Sequence, residues 1–343
     1  MRTPLVVAAG LLLLTAAACA RPTSSPTTTA GPTTPAPAGG EATEPSADTA
    51  TVEHAMGATE VACTPQRVVT LGQGQTDTTL ALGVEPVGVV QPWTAEFYDY
   101  LPEAVHEAEV VGTELEPSLE RIAALDPDVI LGSKLRHEAI YEQLSAIAPT
   151  VVAETVGRTW KDNVSLWAQA LCRQDAGDHL LAQWRQRTAS FRQGLAELGG
   201  ASVSLVRFMP AEVRIYLTGF PGSVLRDAGL ERPPAQQVDD WAAAQQLITV
   251  SQERIPQMDA DVMFTMTSPW AGEGDVGQLK DEYTSHPLWH KLDAVHSDAV
   301  FPVDEGHWNL GGGILAANAM MDDLEQHFLE PGGARAALTD GDA

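Results

Sequence analysis

The chain has 343 residues, 44% of them hydrophobic, and a formal net charge of -26 at pH 7. This length leaves room for two domains of ordinary size. The negative charge argues against nucleic acid as a partner, because a phosphate backbone would be repelled.

The N-terminus predicts export. Arg2 precedes an apolar stretch, residues 5–18, that is too short to span a bilayer permanently but is typical of a cleaved signal peptide. The stretch ends in Ala16-Ala-Ala-Cys19, which resembles a bacterial lipobox with Ala in place of the usual Leu. We therefore expect Cys19 to carry lipid and to anchor the protein at the outer face of the cell membrane, with plain secretion as the alternative.

Residues 19–52 are rich in Pro, Thr and Ser, and residues 330–343 form a short stretch of similar character. Such segments cannot bury enough apolar surface to offset the entropy of the chain. The sequence predicts a disordered tether and a flexible tail.

Export also places Cys63 and Cys172 in an oxidising compartment, where they either pair or remain two separate buried thiols.

A segment that begins at Ser118 recurs at Ser251. Each copy starts with a Ser that can cap a helix, carries a Glu (Glu120 or Glu253) in the first turn, and runs into a short apolar strand. A weaker echo links the sequences at Gly83 and Gly229. Two echoes in the same order predict two lobes built on one plan.

Apolar strand patterns alternate with helical patterns in both halves, which predicts two α/β lobes with mainly parallel sheets. The segment between the halves contains little Gly or Pro and predicts a single long backbone helix. Ligands of open α/β sheets bind beyond the carboxyl ends of the strands, so we expect a ligand cleft between the lobes. The predicted divisions are a signal peptide (1–18), lipidated Cys and tether (19–52), N-terminal lobe (53–160), inter-lobe helix (161–198), C-terminal lobe (199–329) and tail (330–343).

Several motifs in a shared order resemble the periplasmic-type substrate-binding proteins for siderophores, haem and cobalamin, especially the actinobacterial iron-siderophore lipoproteins. The motifs are Pro65-Gln-Arg67-Val-Val-Thr-Leu, Leu82-Gly83-Val-Glu-Pro86, Pro117-Ser-Leu-Glu-Arg-Ile, Phe220-Pro-Gly222-Ser and Pro287-Leu-Trp289. The resemblance implies a protein that captures a ferric siderophore, favoured here as the hydroxamate type, and delivers it to the permease dimer of an ABC importer. It implies a monomer that has no cofactor and binds iron only through the siderophore.

Candidate ligand contacts lie at the ends of predicted strands. Arg207 and Tyr216 each end a strand of the second half. A guanidinium can donate to the oxygens around iron, and an aromatic ring can cover the carbon skeleton of a chelate. The alternatives are a structural salt bridge for Arg207 and core packing for Tyr216.

Most of the remaining candidates follow other strands or match aromatic positions of the resembling family, while Arg214 lies within a predicted strand and Phe220 within a family motif. These candidates are Trp93, Lys134, Arg136, Arg214, Phe220, Trp241 and Trp308. Core packing of the tryptophans and a solvated Lys134 and Arg136 are the alternatives. Ferrichrome-type binders carry an Arg where this chain has Thr113 and Glu114, so the resemblance is weaker for that ligand.

The resemblance also implies that Glu120 and Glu253 dock onto arginines of the permease, one on each lobe. The alternative is that each Glu only stabilises its own helix terminus.

Other functions remain open at this point. Haem or cobalamin could occupy the same fold, and a sensor or an enzyme could use it. No nucleophile elbow, zinc-protease pair or phosphate-binding loop occurs in the sequence. His286 and His290 could contact a bare metal ion, but Pro287 between them favours a turn, and a metal site needs more converging ligands.

Overall fold

Each half of the chain folds around one five-stranded sheet. The computed structural model describes residues 49–94, 96–268 and 275–340, which belong to one compact unit. The predicted signal peptide, Cys19 and most of the predicted tether lie outside these residues. Within the described part of the chain, no helix is both long enough and apolar enough to cross a membrane.

The N-terminal lobe has an all-parallel sheet in the order β5-β4-β3-β6-β7. An antiparallel hairpin precedes it. The elements are β1 (Thr49–His54), β2 (Gly57–Ala62), β3 (Val68–Thr70), α1 (Gln73–Ala81), β4 (Gly88–Val89), β5 (Glu109–Val110), α2 (Leu119–Ala124), β6 (Val129–Ser133), α3 (Lys134–His137), α4 (Tyr141–Ile147) and β7 (Thr150–Ala153). Every residue of β3 and β6 is buried, as expected for parallel strands covered on both faces.

Two helices connect the lobes, α5 (Trp160–Ala170) and α6 (Gln174–Glu197). The predicted helix 161–198 is therefore interrupted. Cys172 adopts a left-handed φ of 50°, and the amides of Cys172 and Arg173 donate to the carbonyls of Gln169 (3.1 Å) and Ala168 (2.7 Å). This pattern is a Schellman cap, which usually has Gly at the left-handed position. Because this position holds Cys and not Gly, no glycine in the sequence marks the end of a helix there.

The C-terminal lobe has a sheet in the order β10-β9-β8-β11-β12, in which β9 runs antiparallel to both of its neighbours. The other pairs are parallel. The elements are β8 (Val203–Phe208), β9 (Val213–Tyr216), α7 (Gly219–Asp227), β10 (Leu247–Val250), β11 (Val262–Thr267), α8 (Val276–Thr284), α9 (Asp293–His296), β12 (Val300–Pro302), α10 (Ile314–Phe328) and α11 (Gly333–Asp340). The prediction of two α/β lobes with mainly parallel sheets and a long helix is confirmed.

The internal repeat has the same structural role in both lobes. Its first copy forms α2 and leads into β6, and its second copy forms a 3₁₀ helix, Gln252–Met258, and leads into β11. The Asp at the end of each copy fastens the start of the neighbouring strand. Asp128 Oδ2 accepts from the amides of Gln66 (2.6 Å) and Arg67 (2.9 Å), and Asp261 Oδ2 accepts from the amide of Ser202 (2.7 Å).

Two predicted unstructured segments contain secondary structure. Strand β1 begins inside the predicted tether, because Val52 is buried and pairs with Thr59 across the hairpin. Helix α11 occupies the predicted tail, where Ala334 and Leu338 lie four residues apart and pack on the core of the C-terminal lobe. In both places a few apolar side chains pack on the lobe, Ala50 and Val52 from β1 and Ala334, Ala337 and Leu338 from α11.

Candidate ligand-binding site

A cavity of about 320 Å³ lies between the lobes, at the carboxyl ends of the central strands. Both lobes contribute to its walls. Five of the predicted contacts line it: Trp93, Arg136, Arg207, Tyr216 and Phe220. The predicted cleft therefore coincides with a cavity that holds cationic, hydrogen-bonding and aromatic groups.

Arg207 dominates the wall formed by the C-terminal lobe. Its Nη1 donates to the Tyr216 hydroxyl at 3.0 Å, and its Nη2 pairs with Glu305. Only 3% of Arg207 and 5% of Glu305 is exposed. Burial raises the pKa of Glu305, and the charge of Arg207 opposes that shift. Arg207 thus lines the cavity and also takes part in the buried ion pair that was its alternative role.

Arg136 and Glu114 form the corresponding pair in the N-terminal lobe. Arg136 Nε donates to Glu114 Oε1 at 3.2 Å, and the guanidinium carbon lies 6.0 Å from the centroid of the Trp93 ring. Glu114 lines the cavity and is 7% exposed. Burial raises the pKa of this carboxyl, and Arg136 opposes the shift. In the sequence, Glu114 is evident only as a departure from a family pattern.

Three predicted contacts do not line the cavity. Lys134 lies two residues before Arg136, so it emerges on the opposite side of α3 and contacts Glu154 at 3.4 Å. Arg214 shares a face of β9 with Tyr216 but lies farther from the strand end, and it pairs with Glu212. Trp241 stacks under Arg226 of α7, with 4.9 Å from its ring centroid to the guanidinium carbon, and lines a separate cavity.

The expectation that Trp308 lines the cavity is also not met. Trp308 is fully buried in the core of the C-terminal lobe, 4.6 Å from Phe264 between ring centroids, and its Nε1 donates to Asp323 at 2.7 Å. It belongs to a π-helical turn, Gly306–Leu310. That turn directs the neighbouring Asn309 and Leu310 into the cavity and Trp308 into the core.

His307, next to Trp308, gives the fold a pH dependence. Its Nε2 lies 2.7 Å from Asp323 and its Nδ1 lies 3.5 Å from Asp304. Burial disfavours the charged ring, but the two carboxylates outweigh this and raise the pKa of His307 to about 9 from 6.5. A raised pKa stabilises the fold fully below the unfolded value of 6.5, and this contribution is lost as the pH rises through 9.

We therefore expect the free energy of unfolding to fall by about 2 kcal/mol between pH 6.5 and pH 9.5, since Asp304 is largely exposed and its contribution is screened. Urea denaturation across this range measures it. The His307→Gln variant should lack most of the slope, and a slope equal to that of the unmodified protein would contradict the assignment.

Asp77 joins the two lobes beneath the cavity. It lies on α1, and its carboxylate accepts from the amides of Leu315 (2.9 Å) and Ala316 (2.8 Å) at the start of α10. Burial raises the pKa of Asp77 to about 7 despite these donors. A Cβ on Gly313 would lie 2.2 Å from Asp77 Oδ1, so only Gly allows this approach.

The polar groups of the cavity that were not predicted come from helices and loops. They are Gln73, Thr78, Asn163, Gln246 and Asn309. They follow no strand pattern, so nothing in the sequence distinguished them from other surface residues.

Glu120 and Glu253 are both exposed and lie just before β6 and β11, in equivalent places of the two lobes. Neither takes part in an ion pair with any residue that the structure describes.

The structure does not support a site for a bare metal ion at His286 and His290. His286 accepts from the amide of Leu288 at 3.1 Å within a turn, and no cluster of three or more metal-ligating side chains is found in residues 49–94, 96–268 and 275–340.

Known proteins that are similar to this chain include siderophore-binding proteins. The periplasmic binding protein family matches residues 68–305. The probable siderophore-binding lipoprotein YfiY of Bacillus subtilis (strain 168) is 41% identical over 294 residues, which cover 83% of this chain and 89% of YfiY. The achromobactin-binding periplasmic protein of Dickeya dadantii (strain 3937) is 38% identical over 266 residues, 76% of this chain and 85% of that protein.

A solved structure is similar along most of its length. The crystal structure of Staphylococcus aureus SirA complexed with staphyloferrin B has a TM-score of 0.75 and 37% sequence identity. The alignment covers 81% of this chain and 97% of SirA.

Proposed function

Since the chain belongs to the periplasmic binding protein family, we propose that it captures a ferric siderophore in the cavity between its lobes and delivers it to an ABC importer. It is a substrate-binding protein and not an enzyme. The observation that carries the proposal is the pairing of Arg136 and Trp93 on one wall of the cavity with Arg207 and Tyr216 on the other. Iron is cargo here, held by the siderophore.

Among ligand classes, the walls favour a siderophore with anionic oxygens of the carboxylate type. Arg136 and Arg207 present guanidinium groups from opposite lobes, and guanidinium donors match carboxylate geometry. SirA, which is 37% identical, is complexed with staphyloferrin B, a carboxylate-type siderophore. The hydroxamate class favoured by the sequence stays a prediction, supported by the fit between a net charge of -26 and a cationic ferrioxamine.

The test is a tryptophan-fluorescence titration of the purified protein against ferric staphyloferrin B, ferric citrate, ferrioxamine, ferrichrome, haem and cobalamin. Trp93 lies in the cavity and should respond to an occupant. We expect at least one ferric siderophore to bind with a Kd of about 1 μM or tighter, which corresponds to about -8 kcal/mol. A response to haem or cobalamin alone would contradict the proposal.

The Arg136→Ala variant tests the site itself. Removing a charged donor to a chelate oxygen should weaken binding by roughly 1.5 to 3 kcal/mol. Lys134→Ala is the matched control, because Lys134 lies on the same helix and outside the cavity lining. Equal affinities of the two variants would show that Arg136 does not contact the ligand.

Delivery is proposed to use Glu120 and Glu253, one exposed carboxylate on each lobe of a monomer, facing the two subunits of a permease dimer. Their equivalent positions before β6 and β11 suit a partner with two-fold symmetry. Lipid on Cys19 would keep the protein near that permease at the outer face of the membrane, and the relative YfiY is named a lipoprotein.

The Glu120→Ala, Glu253→Ala double variant should bind the ferric siderophore normally and lose most siderophore uptake in cells. Glu142→Ala with Glu282→Ala is the control, since these residues are also exposed and lie one on each lobe, in α4 and α8. Normal uptake by the first variant would exclude the docking role.

A further inference from the structure

Glu114 is a carboxylate inside a cavity proposed to take an anionic ligand. It lines the cavity wall and is 7% exposed. One hydrogen bond at 3.2 Å from Arg136 Nε connects it to the nearest cationic group, whose side chain is itself one-third exposed. The guanidinium is therefore shared between Glu114 and the space where a ligand would lie.

Building on the proposed function, we propose that Glu114 is a specificity-determining residue that takes up one proton when an anionic ferric chelate enters the cavity. A chelate oxygen that binds Arg136 draws the guanidinium charge away from Glu114 and also places a second negative charge beside it. Both effects favour the neutral acid. A cationic chelate has the opposite effect and favours the carboxylate, so Glu114 distinguishes ligands by their charge.

Burial supports this role, because it already holds the pKa of Glu114 above its usual value in the empty protein. Hydrogen bonds from the Trp93 side chain and the Gln73 backbone oppose the shift, as Arg136 does. A ligand that competes for Arg136 removes the largest of these opposing influences. Loss of that influence raises the pKa of Glu114 further and favours its protonation.

The other titratable groups around Glu114 are poorly placed to take up the proton. His137 of α3 lies 3.0 Å from the Glu114 carbonyl through Nε2 and accepts from the Ser133 amide at 3.1 Å through Nδ1. Both ring nitrogens are therefore engaged in the neutral form, and burial lowers the pKa of His137. Burial raises the pKa of Tyr98, which stays neutral.

Two more charged groups belong to this region. Across the cavity, Arg207 is engaged by Glu305, and Glu305 does not itself line the cavity. On the same helix as Arg136, Lys134 is paired with Glu154, which also lies outside the cavity lining. Glu114 is thus the carboxylate that a ligand meets directly among the described residues that line the cavity.

Isothermal titration calorimetry in buffers of different ionisation enthalpy tests the proposal, with ferric staphyloferrin B as the anionic probe and ferrioxamine as the cationic one. The anionic chelate should bind with uptake of about one proton, and its affinity should fall by up to about ten-fold per pH unit as the pH rises. Glu114→Gln keeps the shape and an acceptor for Arg136, so it should remove the uptake and flatten the pH profile. Glu154→Gln, the matched control, should change neither.

Binding of ferric staphyloferrin B without proton uptake would overturn the role of Glu114, as would uptake that persists in Glu114→Gln. Proton uptake of the same size with ferrioxamine would also overturn it, because the effect would then not depend on ligand charge. Failure of every ferric chelate to bind is visible in the isotherms themselves and would overturn the proposed function instead.

Discussion

Replacing Cys63 and Cys172 with Ser is expected to lower the free energy of unfolding by about 4 to 5 kcal/mol. The two residues are joined by a disulfide with a Cα–Cα distance of 5.0 Å and a sequence separation of 109 residues. A cross-link over so long a loop removes many conformations from the unfolded chain. It fastens the end of the β1–β2 hairpin to the break between α5 and α6.

Urea denaturation of the oxidised protein and of the double variant measures the difference. Oxidised protein treated with a reductant should match the variant, which separates loss of the cross-link from any effect of the serines. A difference below about 1 kcal/mol would mean that the unfolded chain is not constrained as the loop model requires.

Glu305→Ala is expected to cost about 3 to 5 kcal/mol of stability, because it leaves the buried guanidinium of Arg207 without its carboxylate. Arg207 is 3% exposed and cannot recover full hydration in place. The double variant Arg207→Met, Glu305→Leu should regain most of this stability, since an apolar pair of similar volume avoids the desolvation cost. It should still lose ligand affinity, because the guanidinium proposed to donate to the ligand is gone.

Glu212→Ala is the matched control for the same measurement. Glu212 pairs with Arg214 in the same lobe, but both side chains are partly exposed, so the expected cost is below about 1 kcal/mol. Equal costs for Glu212→Ala and Glu305→Ala would show that burial does not set the strength of the Arg207 pair.

Strand positions were predictable because parallel strands buried on both faces are short, nearly continuous apolar runs. The runs at Val68, Val129 and Val203 are such parallel strands, and the run at Val213 is an antiparallel strand that is also mostly buried. The repeat placed equivalent strands in both lobes. The weaker predictions concern segments held by few contacts. The hairpin strand β1 and helix α11 each dock through two or three apolar side chains, which composition alone does not reveal.

Some of the predicted site residues line the cavity and others do not. Arg207 was found because it lies at the carboxyl end of β8, and the carboxyl ends of parallel strands converge on one cleft. Tyr216 ends the antiparallel strand β9 and lines the cavity with its hydroxyl 3.0 Å from Arg207 Nη1. Trp308 and Lys134 also follow strands, but neither lines the cavity. A π-helical turn directs Trp308 into the core, and the helical rotation of α3 directs Lys134 away from the cavity. Position along the chain does not specify the direction of a side chain that follows a strand.

The sequence alone determined the two-lobe plan and the family, because periodicity, repeats and motif order are local properties of the chain. Only the tertiary structure decided that Glu114 faces Arg136, that Glu305 holds Arg207 and that Asp77 of one lobe caps α10 of the other. The partners in the last two contacts are 98 and 239 residues apart. Such pairs arise when packing brings distant segments together and excludes water, and a buried charge then requires whichever partner the fold has placed beside it.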